Sequence, residues 1–319
     1  MKKEKKGSGL FNVSAYPPAP RVDGPDLARW LRQRLQTPLT RFAPAPTGFL
    51  HIGHVVNGVF VWGLAQALDG RVLLRLEDHD RQRCRPEYEN ALLDELDWLG
   101  FAPDDFSTAA FRAGHVEGRQ SERDGAYRDA LAPLIARGLV YACDCSRQQI
   151  ATGPYMGRCR DRGLALEDGV GWRVRVETGI EIFEDGLLGP QRQSPAEQCG
   201  DVLIRDRVGN WTYQWAATTD DTLQQITLVV RGEDLLDSTG RQIYLARLLG
   251  RSHPPVFAHH PLIMKSPTQK VSKWDGDTGI ADLRTAGWDA ARVIGHAAWL
   301  GGLQPSALPT AADEVARLF

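Results

Sequence analysis

Long apolar runs are missing from this sequence, and none approaches the roughly 20 residues that a bilayer-spanning helix needs. The basic opening, Met1 to Lys6, is followed over Gly7 to Pro20 by no apolar segment of the kind that a secretory signal carries, which points to a cytoplasmic protein. An excess of one charge sign is missing too. With 38 Lys+Arg against 40 Asp+Glu the net charge is −2, so no global basic field advertises nucleic acid, although a local basic face stays open. Cysteine is scarce, at five residues. In a reducing compartment a cysteine cluster is more naturally metal-binding than disulfide-bonded. No internal repeat is present.

What remains is an ordinary globular composition, 42% hydrophobic and 24% charged over 319 residues. That is enough for one large α/β domain with an insertion, or for two domains. Residues 1–38 read as a flexible N-terminal extension with one short helix around Leu27 to Leu35. From Thr40 the pattern alternates between strand and helix. An apolar helical run covers Val55 to Leu68, and Arg71 to Leu76 reads as a buried strand ending in Glu77-Asp78-His79-Asp80. Tyr88, Leu92, Leu93, Leu96 and Leu99 have helical spacing with Gly100 as a stop, and Tyr127, Leu131, Leu134 and Ile135 lie on one face of a helix closed by Gly138. This order predicts an α/β fold with a doubly wound parallel sheet and ligands at the carboxyl ends of its strands.

Residues 139–200 break the pattern. They hold four of the five cysteines and alternating segments such as Trp172 to Val176, and they read as a small antiparallel insertion stapled in place of a large core. The strand–helix pattern resumes at Val202 to Ile204 and again at Thr227 to Asp234. A helix follows from about Thr239 to Leu249, and another is expected near Ala290 to Leu300. The expected organisation is an extension over 1–38, the first half of a nucleotide-binding catalytic domain over 39–121, a zinc subdomain over 122–200, the second half over 201–260, and a lysine loop with a short helical part over 261–319.

The stretch Thr40 to His54 organises the rest. It is an extended piece, a Pro/Gly turn and a helix start, with Gly48 and Gly53 letting backbone N–H groups approach an anion that the helix dipole favours. His51 and His54 can hydrogen-bond the same anion. Far along the chain, Lys270-Val271-Ser272-Lys273-Trp274 supplies two lysines and a hydroxyl on a loop able to close over a triphosphate. Alone, that motif is an exposed basic loop; paired with the first in this order, it reads as the second half of a split nucleotide site.

On these residues the chain resembles class I aminoacyl-tRNA synthetases, and within them the glutamate branch. His51-Ile52-Gly53-His54 is similar to their H-I-G-H signature, and Lys270 to Trp274 to their K-M-S-K-S loop, with Val and Trp as departures. Arg41-Phe42-Ala43-Pro44-Ala45-Pro46-Thr47-Gly48 resembles R-F-A-P-S-P-T-G, Arg75 to Asp80 resembles R-I-E-D-x-D, and Val230 to Asp234 resembles V-R-G-x-D. The resemblance spans roughly residues 40–300. It implies a glutamate site of Arg41, Phe42, Ala43, Pro44, Ala45, Glu77, Tyr213 and Arg231. The planar forks of Arg41 and Arg231 suit carboxylates, and Glu77 suits the ammonium. It also implies an ATP site of His51, Gly53, His54, Lys270, Ser272 and Lys273, with Mg²⁺ on the triphosphate and with His51, His54 and Lys273 as the catalytic groups.

Cys143-x-Cys145 and Cys159 make three of the four ligands that a structural zinc needs, with Tyr155, Asp144 and Asp161 as candidates for the fourth. Here the resemblance narrows to the short glutamyl-queuosine tRNA(Asp) synthetase family. Its C-x-C…Y-x-x-x-C pattern implies Tyr155 as the fourth ligand. Fewer than fifty residues follow Trp274, too few for an anticodon-binding domain. The family therefore implies activation of L-glutamate with ATP to glutamyl-adenylate, then transfer to queuosine in the anticodon arm of tRNA(Asp), by a monomer with no membrane partner. The alternatives are a truncated glutamyl-tRNA synthetase charging the 3′ end of tRNA(Glu), a nucleotidyltransferase sharing the phosphate sites, and a non-catalytic tRNA-binding paralogue.

Overall fold

The computed structural model describes residues 16–150, 153–266, 269–270 and 279–319. In chain order the elements of the first half are α1 (Gly24–Arg32), β1 (Leu39–Phe42), α2 (Ile52–Ala67), β2 (Arg71–Leu74), α3 (Pro86–Leu99), α4 (Thr108–Ala113), α5 (Asp124–Ala136) and β3 (Val140–Cys143). The middle holds α6 (Arg147–Ile150), β4 (Gly171–Val174), β5 (Glu181–Asp185), β6 (Gly189–Gln193), α7 (Pro195–Gln198), β7 (Val202–Arg205) and α8 (Tyr213–Leu223). Then come β8 (Leu228–Gly232), α9 (Leu236–Leu248), β9 (Val256–His260), α10 (Ile280–Thr285), α11 (Ala290–Leu300) and a 3₁₀ helix, Ala312–Leu318.

Parallel pairing dominates the catalytic body, as expected for this α/β class. β1 pairs with β2, β8 pairs with β9, and β5 joins the other side of β9, all in parallel. β1 lies beside β8, where the Thr227 N–H donates to the Leu39 carbonyl at 2.9 Å. The apolar helix α2 runs behind these strands, fully buried at Val59, Phe60, Val61 and Leu64. Gly100 caps α3 with φ 82°, a left-handed conformation that glycine adopts without steric cost.

Three boundaries move. First, β5 and β6, expected in the insertion, belong to the catalytic four-stranded sheet, while β7, expected to resume the catalytic pattern, pairs antiparallel with β4 in the three-stranded sheet β3-β4-β7. Alternation alone does not distinguish two short antiparallel segments; long-range register does. Second, the insertion has a real core. Tyr127, Leu131, Trp172, Val174 and Ile204 pack with Trp215, Tyr244 and Leu245 of α8 and α9. Third, the extension is not loose along its described part. α1, capped by Asp23, buries Leu27, Ala28 and Leu31 in the main core, and the Val22 N–H bonds the Gly302 carbonyl at 2.9 Å. α9 begins at Leu236, ahead of the expected Thr239.

Candidate active site

The turn between β1 and α2 builds one end of the site. Its path through Pro44, Pro46 and Gly48 brings His51 to the N-cap of α2 in an extended conformation. The His51 Nδ1 accepts the Gly53 N–H at 3.1 Å, and the His54 Nδ1 accepts the His51 N–H at 3.1 Å. A side chain at Gly53 would have its Cβ 2.9 Å from the His51 ring, so glycine is what lets the ring fold over the helix start. Because both Nδ1 atoms are acceptors, the neutral rings carry their protons on Nε2. The rings stand 4.0 Å apart, so two N–H donors share one corner with the positive end of a sixteen-residue helix.

The opposite end is built on buried arginines. Arg41 ends up 4% exposed on β1, its Nε donating to Asp221 Oδ1 at 3.1 Å and its Nη1 to the Val230 carbonyl at 3.3 Å. Asp221 also receives the Arg75 Nη2 at 2.8 Å, and Arg75 is wholly buried. Burial works to raise the Asp221 carboxyl, but Arg41 and Arg75 outweigh it and hold the group below the usual carboxylate range. Arg231, at the end of β8 and 4% exposed, donates its Nη1 to the Tyr213 hydroxyl at 3.2 Å and to Gln242 Oε1 at 2.7 Å. Past the end of β2, near Arg75 and Arg41, Glu77 makes no side-chain hydrogen bond among the described residues. Burial pushes its carboxyl up despite the nearby His79, Arg75 and Arg41.

Both ends open into one cavity of about 1040 Å³. It is lined by Arg41, Phe42, Ala43, Pro44, Ala45, His51, Gly53, His54, Glu77, Tyr213 and Arg231, so the glutamate residues expected from sequence and the histidine half of the ATP site share one space. Ser272 and Lys273 lie outside the described residues; the described backbone places Lys270 in a short antiparallel strand pair with Met264–Ser266. The cavity also takes in residues not anticipated from sequence, among them Asn57, whose amide lies 3.0 Å from His260 Nε2. The His260–Pro261 pair at a strand end could have signalled it.

The cysteine cluster stands apart from this cavity. The Cys143, Cys145 and Cys159 sulfurs all lie within 4.8 Å of one another and are buried, a group able to hold a metal ion. The Tyr155 hydroxyl sits among them, 3.3 Å from Cys143 Sγ and 3.6 Å from Cys145 Sγ. Of the rival fourth donors, Asp161 pairs with Arg175 at 3.2 Å, whereas Asp144 pairs with Arg162 and its Oδ1 also lies 3.5 Å from Cys159 Sγ. Arg173 stacks over the Tyr155 ring at 3.9 Å, and a Cβ at Gly200 would meet the Tyr155 carbonyl at 2.1 Å, so both neighbours hold the tyrosine in place. Cys84 and Cys199 take no part in this cluster.

A parallel α/β body with paired histidines at a helix start and buried arginines across the cavity matches the model of the class I tRNA synthetase (E and Q) catalytic domain over residues 39–155 and 167–307. The chain belongs to this family, and it is a ligase of the aminoacyl-tRNA synthetase type. Within the family it is similar to proteins named glutamyl-Q tRNA(Asp) synthetase. The one from Symbiobacterium thermophilum is 38% identical over 298 residues, covering 88% of this chain and 91% of the relative. The one from Pseudomonas aeruginosa is 44% identical over 235 residues, covering 73% and 76%. A crystal structure of a glutamate tRNA ligase from Elizabethkingia meningosepticum, in complex with its amino acid, superposes with a TM-score of 0.75 at 25% identity. The alignment covers 89% of this chain but only 65% of that ligase.

Proposed function

We propose that the protein activates L-glutamate with ATP and transfers the glutamyl group to queuosine in the anticodon of tRNA(Asp). One observation carries the first step: a single cavity has two buried arginine forks and the Glu77 carboxylate at one end, and two imidazole N–H donors over a helix start at the other. Glutamate presents two carboxylates and one ammonium, which Arg41, Arg231 with Tyr213, and Glu77 complement in charge and number. ATP would lie with its phosphates toward His51 and His54, and Lys270, Ser272 and Lys273 are the further donors that the sequence motif assigns to it. Mg²⁺ bound with the triphosphate would neutralise part of its charge.

In the reaction a glutamate carboxylate oxygen attacks the α-phosphorus of ATP, the new O–P bond forms, and the bond to the pyrophosphate oxygen breaks. The nucleophile is already anionic, so no protein base is needed; catalysis is positioning and stabilisation of charge at phosphorus. Removing one Nε2–H donor is expected to cost about 3 kcal/mol, a hundredfold in rate.

The names of the relatives support this acceptor. The three cysteines with Tyr155 fit a single structural zinc in donor type, number and burial. The ion would hold the β3–β4 insertion in shape, on the side of the molecule we assign to the tRNA. The protein is read as a cytoplasmic monomer. The test is glutamate-dependent pyrophosphate exchange without tRNA, followed by transfer to tRNA(Asp) with and without queuosine. No exchange under any condition sinks the activation step, and transfer to the 3′ end of tRNA(Glu) sinks the acceptor.

A further inference from the structure

The two arginines of the cavity are held in different ways. Arg41 is anchored by a direct ion pair to Asp221. Arg231 has no carboxylate against it among the described residues; its Nε donates at 3.0 Å to the Nε2 of His259, a residue of β9 that is completely buried. Behind the imidazole stands Asp185 at the end of β5, whose Oδ2 lies 2.6 Å from His259 Nδ1. The other oxygen, Oδ1, takes the N–H groups of Leu187 and Leu188, each at 3.0 Å, and of His259 at 3.3 Å. A carboxylate receiving that many donors is ionised. Burial works to raise the Asp185 carboxyl, yet the His259 ring and these amides bring it below the usual range.

The tautomer of His259 follows. Nδ1 carries the proton toward Asp185, and Nε2 is a lone pair turned to Arg231. Thr239 Oγ1 lies 3.2 Å from the same Nε2 and accepts the Arg231 Nη2 at 2.8 Å. Nε, both Nη1 hydrogens and one Nη2 hydrogen of Arg231 are thereby committed to His259, Tyr213, Gln242 and Thr239. A guanidinium has five N–H groups, so one Nη2–H remains, beside a Tyr213 hydroxyl that accepts from Arg231 and can donate onward.

We infer that Asp185 and His259 form a positioning pair that fixes the plane of Arg231 while leaving its charge for the substrate carboxylate. A carboxylate placed directly on Arg231 would occupy the fork and neutralise it. A neutral imidazole fixes the fork and does neither, and Asp185 holds the imidazole in the one tautomer that can accept. This rests on the reading of Arg231 as a glutamate ligand.

The arrangement makes glutamate affinity sensitive to acid. The groups around the His259 ring are Asp185 from β5, Arg231 from β8, Arg41 from β1, Thr239 from α9, and the Phe257 ring, stacked at 6.1 Å. Burial lowers the His259 pKa below its usual value, and the cations Arg231 and Arg41 add to this while Asp185 opposes. His259 is therefore neutral at pH 7. Protonation at lower pH would turn an N–H toward the N–H of Arg231, donor against donor, and release the fork.

The test measures KM for glutamate and for ATP in pyrophosphate exchange, as a function of pH, for wild type, H259L, H259Q, D185N and R231K. H259L is expected to raise KM for glutamate about tenfold, the range for a hydrogen bond to a charged group, with KM for ATP unmoved. H259Q, whose amide can donate to Asp185 and accept from Arg231, recovers most of that loss and lacks the acid-side rise in KM seen in wild type. D185N falls between them. An H259L enzyme with wild-type KM for glutamate overturns the pair, as does an H259Q enzyme that keeps the wild-type acid limb; should H259L not fold, the H259Q pH profile decides. R231K without effect on KM for glutamate overturns the substrate reading and the pair together. An R231K effect beside inert His259 variants overturns the pair alone.

Discussion

The arginine end of the cavity and the cysteine knuckle both hold polar groups out of water, and they do so by opposite means. At the arginine end Arg41 and Arg75 are answered by Asp221, Arg75 and Arg123 by Asp220, and Arg231 by the neutral groups of His259, Tyr213, Gln242 and Thr239. Asp220 also receives the Gln120 amide and the Tyr127 hydroxyl, both at 2.8 Å. At the knuckle, three thiols and a phenol crowd together with few donors to satisfy them. The first region is organised before any ligand arrives. The second has the donor set of a metal site, with Arg162 Nη1 at 3.5 Å from Cys159 Sγ as a charged neighbour. Preorganisation by network and preorganisation by ligand leave different signatures, and mutation separates them.

The largest effect should come from Asp221→Ala. It leaves Arg41 and Arg75 buried with their shared anion gone, and about 3–5 kcal/mol of stability should be lost, read from the urea midpoint. A loss below about 1 kcal/mol would mean that the network is not what holds the arginines. Next, Arg41→Ala should lower kcat/KM for glutamate about a hundredfold while the fold survives, which pyrophosphate exchange and a melting curve together would show.

Glu95 offers a control inside the same molecule, a carboxylate 6% exposed with no hydrogen-bond partner for either oxygen among the described residues. Burial pushes its pKa up to about 7, against the backbone near Ala281 and Leu50 and with help from Asp282 and Asp94. A carboxyl raised on folding binds its proton more tightly in the folded state. The folded protein therefore loses stability as pH climbs from the unfolded value through about 7, and the penalty is complete above that. Glu95→Gln removes the penalty. It should stabilise by on the order of 2 kcal/mol at pH 8 and by almost nothing near pH 4, and equal gains at both pH values would refute the assignment.

The smallest effect on activation, and the most selective, is expected from Cys159→Ser. Bound metal should fall and acyl transfer to the tRNA should drop about tenfold, while tRNA-independent exchange stays within about twofold. Metal analysis and the two assays on one preparation would check this. Equal damage to both steps would show that the knuckle supports the catalytic body as well.

What could be read from sequence follows from how each feature is encoded. Arg41, His51, His54 and Glu77 lie in contiguous runs whose turn residues and strand ends announce them. The ends of α3 and α11 were legible for the same reason, because Gly100 and the apolar spacing are local signals. The holders of Arg231 were not. Asp185, Thr239, Gln242 and His259 come from three elements and meet only through sheet order, which leaves no period in the chain. The exchange of β5 and β6 with β7 between sheets has the same origin, since Trp172–Val174 pairs with β7 by register. The docking of α1 escaped notice because three buried side chains, Leu27, Ala28 and Leu31, suffice to anchor it and a polar tail surrounds them.

That docking bears on how the chain is made. α2 is covered by the Ala312–Leu318 helix, with Phe319 5.6 Å from the Phe60 ring, and α1 packs into the same core. Gly24 lies so close to Leu318 that a Cβ there would fall 1.8 Å from its carbonyl oxygen. During synthesis the most apolar helix among the described residues must therefore wait, partly bare, until Ala312–Leu318 emerges to close over it. Translation order makes the 3₁₀ helix the latch of the catalytic core. A chain stalled shortly before it would leave Phe60 without the Phe319 ring, open to whatever binds exposed apolar surface.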